Sequence, residues 1–264
     1  MSDPYAGNVV LLVPMNGAAG GTVFQDHSLV GRAITRYGNT QTVTDQYRHY
    51  GASGYFDGSG DYLQVADSPD FVFGAEDFTI EAWIRPQVGP GVIQGIVAQR
   101  YASGTRHAFS FWVHATDTNL AFECNNNSYL FYNGGKLTYN VWQHVAVCRA
   151  GSTIRMFLDG VMIGEQAIAV TLSDYPQVVQ IGRASSSLSN GYFKGHMNDV
   201  RVTKGVARYT QNFIPPRRLT GDPPRAALKV HTGAEWRAGV LKRWEGAAWV
   251  AQPARWFDGA QWQE

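Results

Sequence analysis

Residues 55–86 read YFDGSGDYLQVADSPDFVFGAEDFTIEAWIRP, and this stretch restricts the fold more than any other part of the chain. A polar turn through Asp57, Gly58, Ser59, Gly60 and Asp61 separates Tyr55 and Phe56 from a short run ending at Val65. Farther on, side chains alternate: Phe78, Ile80, Ala82 and Ile84 fall on one side, and Thr79, Glu81 and Arg85 on the other. Period-two alternation between glycine-rich or acidic turns marks strands with one buried face. Trp83 interrupts the polar side, so that side is predicted to be covered or used as well.

The same punctuation recurs along the chain roughly every ten residues. It predicts strands at 9–13, 93–100, 108–113, 120–124, 129–132, 142–149, 153–158, 161–165, 177–181 and 195–203, with Asp159-Gly160 as a hairpin turn. Residues 15–53 are polar, glycine-rich and irregular apart from a β-like piece at 40–44, and they are expected to be surface loops or poorly paired edge segments. No interval has the length and 3.6-residue period of a crossover helix, which excludes an α/β fold. The chain is therefore predicted to be all-β, with two antiparallel sheets packed face to face in a sandwich of about 12 strands.

Lysine and arginine number 22 and aspartate and glutamate 21 in 264 residues, a formal net charge of +1. That balance supplies no field for a nucleic-acid backbone, so no nucleic-acid partner is expected. No apolar run approaches the ~20 residues of a membrane span, so no membrane insertion is expected. The N-terminal residues lack the basic lead and long apolar run of a secretory signal, which predicts a chain without a signal peptide. Cys124 and Cys148 lie in strand-like runs read as neighbours in one sheet. Both are expected to be buried free thiols rather than a disulfide framework.

Proline pairs at 215–216 and 223–224 mark a boundary, and beyond it lie five of the eight tryptophans. Trp236, Trp249 and Trp262 recur every 13 residues, as do Gly233, Gly246 and Gly259 in the sequences TGAEW, EGAAW and DGAQW. Each glycine follows Thr232, Glu245 or Asp258, a pairing that predicts a hairpin turn. A unit this small cannot bury its own tryptophan, so the three indoles are expected to pack on neighbouring repeats, on the sandwich or on other copies of the chain.

Catalytic signals are sparse. Glu76, Asp77 and Glu81 form the densest acidic set in the sandwich, but Asp77 reads as a turn residue, leaving Glu81 beside Trp83 as the sole support for glycosidic cleavage. No catalytic residue is assigned. No nucleophile elbow or phosphate loop is present, and the seven histidines lack metal-ligand spacing, with His144 read as a structural hydrogen-bonding residue. Asp57 and Asp61 flank a Gly-Ser-Gly turn and could converge on calcium if a third oxygen donor, near Asn198 or Asp199, joined them. A turn that caps its own amides explains the same two residues. Sugar binding calls for aromatic faces beside planar amides, and the polar loops at 101–104, 125–129 and 185–192 provide Tyr101, Asn125, Asn127, Tyr129 and Tyr192 as candidate contacts.

In order, YFDGSGDYLQV, DFTIEAWIRP, WQHVAVCRAGSTIRMFLDG, VQIGRAS and FKGHMNDVRVTKGVARY resemble a concanavalin A-like jelly roll of the laminin G/pentraxin type. The resemblance covers about residues 9–216. It implies a laminin G-like domain at 1–218, with its first strand beside its last, followed by a 13-residue Trp-Gly repeat region at 219–264. It also implies binding functions that range from sugars to proteins, and calcium sites at strand-end loops, for which Asp57, Asp61 and Asp199 are the matching positions. The family's glucanase pattern, Glu-x-Asp with a further Glu, is not matched by EDFTIE, which argues against an enzyme.

LKVHTGAEW, LKRWEGAAW and ARWFDGAQW resemble the short Trp-Gly units that end many tailed-bacteriophage tail proteins. This second resemblance implies a virion tail component made in the host cytoplasm. Its expected partners are a host cell-surface glycan or other surface receptor, other phage tail proteins, and further copies of itself in a homo-oligomer such as a trimer. A purely structural tail or assembly protein and a glycan depolymerase are the alternatives.

Overall fold

The computed structural model describes residues 3–89, 93–100, 107–114, 117–125, 129–184 and 191–216, and six short strands beyond residue 228. The first fifteen strands are β1 (Val9–Val13), β2 (Ile34–Tyr37), β3 (Gln41–Val43), β4 (Ser53–Asp57), β5 (Tyr62–Val65), β6 (Phe78–Pro86), β7 (Ile93–Arg100), β8 (His107–His114), β9 (Asn119–Cys124), β10 (Tyr129–Lys136), β11 (Gln143–Ala150), β12 (Thr153–Leu158), β13 (Val161–Ala167), β14 (Val179–Ile181) and β15 (Lys194–Lys204). An eight-stranded sheet runs β13-β12-β11-β6-β15-β4-β3, with β1 also paired to β15, and a seven-stranded sheet runs β10-β9-β8-β7-β14-β5-β2. All pairings are antiparallel, giving a jelly-roll sandwich.

The inward side chains of both sheets meet in one core. Phe78, Ile80, Ala82 and Ile84 of β6 are fully buried, as the alternation requires, and pack with Phe56, Phe73, Phe109, Phe111, Phe122 and Phe193. Phe73 stacks on Phe78 with ring centres 4.6 Å apart, and Phe56 meets Phe193 edge-on at 6.1 Å. Aromatic pairs of this geometry add to the stabilisation from apolar burial alone.

β15 holds the eight-stranded sheet together. Its first residues pair with β4 through Lys194↔Asp57 to Met197↔Gly54, and its last with β1 through Val200↔Val13 to Thr203↔Val9. The change of partner coincides with an irregularity between Asn198 and Arg201, where Asp199 takes a φ of 51°. Asn198 is fully buried at this junction. Its Nδ2 donates to the carbonyls of Pro14 and Ala52, each at 2.9 Å, and its Oδ1 accepts from the amides of Arg48 at 3.0 Å and His49 at 3.3 Å. One side chain thus satisfies backbone groups that the divided strand pairing leaves over.

The outer side of β6 is buried too, as Trp83 foreshadows. Residues 205–216 cross it as a strap. Thr79 Oγ1 donates to the Val206 carbonyl at 3.0 Å, the Arg208 amide donates to Thr79 Oγ1 at 2.9 Å, and Trp83 Nε1 donates to the Pro216 carbonyl at 3.2 Å. Tyr209 and Phe213 stack at 3.5 Å and lie against Phe157 and His144. The Phe213 amide donates to the Gly160 carbonyl, and a Cβ at Gly160 would come within 1.9 Å of the Phe213 carbonyl oxygen, so the Asp159-Gly160 turn needs its glycine for the strap to seat.

Under the strap lies a buried polar cluster. Glu81 Oε1 accepts from Arg201 Nε at 2.8 Å and Nη2 at 2.7 Å, while its Oε2 faces His144 Nε2 at 3.1 Å and accepts from the Tyr209 hydroxyl at 2.9 Å. Arg208 closes the cluster through a two-pronged contact with Asp3, at 2.9 Å on each side. Burial alone would raise the Glu81 pKa, but the Arg201 charge, with the His144 contact, overrides it and draws the group down to about 2.

Several expectations change. β9 and β11 belong to different sheets, so Cys124 and Cys148 are not sheet neighbours; both are buried free thiols, with burial pushing each up to about 12. Residues 15–53 are not a mere surface excursion. They supply an edge strand to each sheet, and Met15 and Phe24 enter the core. Among the described residues no helix is long and apolar enough to cross a membrane.

The chain divides into units 1–220 and 221–264. Within the second, β16 (Lys229–His231) pairs with β17 (Trp236–Ala238), β18 (Lys242–Trp244) with β19 (Trp249–Ala251), and β20 (Trp256–Phe257) with β21 (Trp262–Gln263). Trp236, Trp249 and Trp262 each open the second strand of a hairpin, opposite His231, Trp244 and Phe257.

Removing the Glu81 charge would take from buried Arg201 its two-pronged counter-charge. E81Q is expected to lower the unfolding free energy by about 3–5 kcal/mol, measured by urea denaturation, whereas an unchanged midpoint would mean that the cluster contributes no stability.

Candidate functional site

Where the strap ends, the outer face of the eight-stranded sheet is open. Strand register sets Gln41, Tyr55, His196 and Arg85 side by side across β3, β4, β15 and β6. Their neighbours Phe56, Met197 and Ile84 are buried in the core, so parity turns Tyr55, His196 and Arg85 outward. This row floors an open cleft of about 460 Å³, rimmed by Val43, Asp45, Gln46, Gln87 and Asn140. The volume falls within the ~300–1,000 Å³ of small-ligand sites.

The floor is held from several sides. Tyr55 and His196 rings lie 5.1 Å apart, Trp142 lies 6.3 Å from His196, and Ser53 Oγ is 3.3 Å from His196 Nδ1 while donating to the Gln46 carbonyl at 2.6 Å. Arg85 Nη1 reaches Asn140 Oδ1 at 3.5 Å. The wall segment carrying Asp45 and Gln46 is fixed at its far end by the Asn198 contacts to the Arg48 and His49 amides. Burial, with the nearby Arg85 charge, lowers the His196 pKa from 6.5 to about 4, so the imidazole is neutral at pH 7. Burial and the carboxylates of Asp57, Asp61 and Asp45 raise the Tyr55 hydroxyl, keeping it protonated. The cleft therefore combines an aromatic face, a neutral ring nitrogen, four side-chain amides, one guanidinium and one carboxylate. That mixture can donate and accept hydrogen bonds around a hydroxyl-rich ligand.

Of the acidic positions anticipated from sequence, Glu81 is fully buried and saturated under the strap, closed to any substrate. Asp77 is a turn residue that accepts from the Gly151 amide at 2.7 Å. Asp57 and Asp61 do come together, but as turn clamps. The two oxygens of buried Asp61 accept from the Asn39 amide at 2.5 Å and the Asp57 amide at 2.9 Å, tying the β2–β3 turn to the β4–β5 turn, while Asp57 accepts from the Ser59 amide at 2.6 Å. Asp199 does not join them. It lies five residues along β15 from Lys194, the partner of Asp57, roughly 16 Å at strand rise, and it accepts from the Tyr50 hydroxyl at 2.9 Å. With amide hydrogens already directed at both Asp61 oxygens and the third donor elsewhere, this trio does not fit calcium. Among the described residues no group of three or more His, Cys, Asp or Glu is arranged to hold a metal.

The anticipated sugar contacts are dispersed. Tyr101 and Asn127 lie outside the described residues, as does the Tyr129 side chain. Asn125 is committed to the backbone, donating to the Thr171 carbonyl at 2.6 Å and accepting from the Ser173 amide at 2.7 Å. Tyr192 is half-buried beside Tyr62 and Arg183 on the opposite sheet. The cleft residues escaped sequence reading because they come from three distant segments and are individually ordinary. Outward parity of Tyr55, Arg85 and His196 was legible, but not that β15 brings them into one row.

A family model described as the concanavalin A-like lectin/glucanases superfamily (Laminin_G_3) matches residues 57–208, more than half of the chain. The chain belongs to this superfamily. Solved structures agree on the fold. The binding domain of Paraclostridial Mosquitocidal Protein 1 superposes with a TM-score of 0.58 at 14% identity, covering 76% of this chain and 50% of that one. A botulinum neurotoxin type C, whose cell entry depends on interaction with two ganglioside molecules, gives 0.56 at 14% identity over 76% of this chain and 49% of that one. The botulinum neurotoxin DC binding domain in complex with SialylT gives 0.56 at 15% over the same shares. This lectin/glucanase-like chain thus spans about half the length of the structures it matches. No curated protein sequence matches it.

In this concanavalin A-like domain the depressed His196 pKa favours the fold fully above 6.5, and that contribution is lost as pH falls from 6.5 toward 4. Thermal scans should show the unfolding midpoint dropping across that window, and H196Q should remove that part of the slope. A variant whose slope matches the parent would mean that His196 is not the group responsible.

Proposed function

We propose that the jelly roll is a non-enzymatic recognition domain whose cleft takes a surface glycan. The observation that carries this reading is the row Gln41, Tyr55, His196 and Arg85 beneath an open, polar cleft. A tyrosine face can stack on the C–H side of a pyranose while amides and the guanidinium meet its hydroxyls, and four paired strands hold that arrangement rigid. Family membership and the ganglioside- and SialylT-associated neurotoxin domains support the same direction. Binding is favoured over depolymerisation because Glu81, the acid that cleavage would have relied on, is enclosed beneath the strap.

The wider setting in this proposal is a bacteriophage tail. The Trp-Gly units support it, and the glycan would then be a host receptor engaged by several copies at once, gaining avidity from linkage. The hairpins give the assembly reading a specific footing. Strands of two or three residues, paired in twos among the described residues, are too small to be stable alone, so they need a surface to pack on, which another copy of the chain or a neighbouring tail protein would supply.

Glycan-array binding of the native assembly tests the cleft. Y55A and R85A should each weaken binding about tenfold or more while leaving the unfolding midpoint nearly unchanged, as expected for partly exposed contacts. Absence of binding to every glycan and to host cells, or undiminished binding by both variants, would overturn the assignment. For the repeats, light scattering on a chain ended after Arg218 should show a smaller particle than the full chain; equal mass would remove their role in self-association.

A further inference from the structure

The seven-stranded sheet carries its own recognition surface on the opposite side of the sandwich. β2 and β5 pair so that Tyr37 lies directly across from Tyr62, and the two rings stack with centres 4.4 Å apart and planes 4° from parallel. After β14 the chain bends back through an isolated bridge between Arg183 and Tyr192. That bridge sets the Arg183 guanidinium 5.0 Å from the ring centres of both Tyr62 and Tyr192. The rings of Tyr62 and Tyr192 are 6.3 Å apart. Three aromatic faces and one cation from four separate segments thus form a continuous ladder.

Some side chains on that face are buried, whereas the ladder reaches solvent. Trp112, Ala121 and Ala184 bury one another farther along the sheet, and Arg100 is paired inside with Glu123 at 2.5 Å. Tyr37, by contrast, is 37% exposed, and Tyr62, Tyr192 and Arg183 are half-buried. Burial raises the Tyr62 hydroxyl against the opposing pull of Arg183, so the phenol remains a neutral donor and acceptor. Arg183 also hydrogen-bonds the Tyr62 side chain, but a guanidinium carries five N–H donors and stacks through its faces, so these contacts are compatible with anion recognition by the same side chain.

We propose that Tyr37, Tyr62, Tyr192 and Arg183 form a second ligand site, independent of the cleft, for a saccharide bearing a carboxylate. The sugar's C–H face rests on the tyrosines, and its carboxylate meets Arg183 through charge-assisted hydrogen bonds. β2, β5 and β14 belong to the seven-stranded sheet and the cleft strands β3, β4, β6 and β15 to the other, so each site can stand or fall alone.

Titration calorimetry on the full chain tests this with trigalacturonate and 3′-sialyllactose as carboxylated probes and lactose as the neutral control. Binding of at least one acidic probe, weakened by added salt and absent for lactose, is the expected result. R183Q should weaken it about tenfold or more, as loss of a charge-assisted contact does, and Y37A, which leaves the guanidinium in place, should weaken it severalfold. In a Y55A background, where the cleft is already impaired, the R183Q loss should remain, which separates this site from the cleft. Failure of both acidic probes to bind at concentrations on the order of 10 mM would overturn the proposal. So would equal binding by R183Q with an unchanged unfolding midpoint, or disappearance of the R183Q loss in the Y55A background.

Discussion

One amide side chain decides how the eight-stranded sheet is assembled. β15 serves β4 along part of its length and β1 along the rest, and at this changeover backbone groups of Pro14, Ala52, Arg48 and His49 converge on one side chain. Asn198 meets all four. A buried amide with every donor and acceptor engaged costs little to desolvate and specifies one arrangement, whereas an apolar residue of similar size would remove all four contacts. The same contacts fix the segment bearing Asp45 and Gln46, so the wall of the cleft is a by-product of how the sheet solves its strand changeover.

The outer face of that sheet is divided between two tasks. Near β11 and β12 the strap brings Tyr209 and Phe213 down onto Phe157 and shuts Glu81, Arg201 and His144 away from water. Toward β3 and β4 no segment among the described residues closes over the row from Gln41 to Arg85, and polar groups line it. An ion cluster without its lid would face solvent and lose much of its mutual attraction, because screening acts far more strongly on exposed charges than on enclosed ones. The lid therefore does for half of the face what a second sheet does for the inner side.

Much of the architecture was legible from alternation alone. The four inward residues of β6 and the turns at Asp57–Asp61 and Asp159-Gly160 follow from patterns in the sequence, whereas the pairing of the first strand with the last came only from the family resemblance. Trp83 on the wrong side of its strand was a true sign of a covered outer face, though nothing in the irregular residues 205–216 identified them as the cover. Residues 15–53 were legible as edge segments but not as contributors to the core, because their anchors, Met15, Phe24 and Thr42, are isolated within polar sequence, and periodicity cannot detect single anchors. The site was harder still. Tyr55, His196 and Arg85 become neighbours only through long-range register, and Asp199, grouped by residue type with Asp57 and Asp61, lies five residues farther along β15 than the partner of Asp57.

The two thiols illustrate what layering does to chemistry. Cys124 faces the space between the sheets, and Cys148 lies beneath the strap, hydrogen-bonded to Thr79. Neither reaches water or the other, and each holds its proton far above neutral pH. The domain therefore contains no cystine to lose and no thiolate to oxidise, so passage between a reducing and an oxidising medium leaves its covalent structure the same.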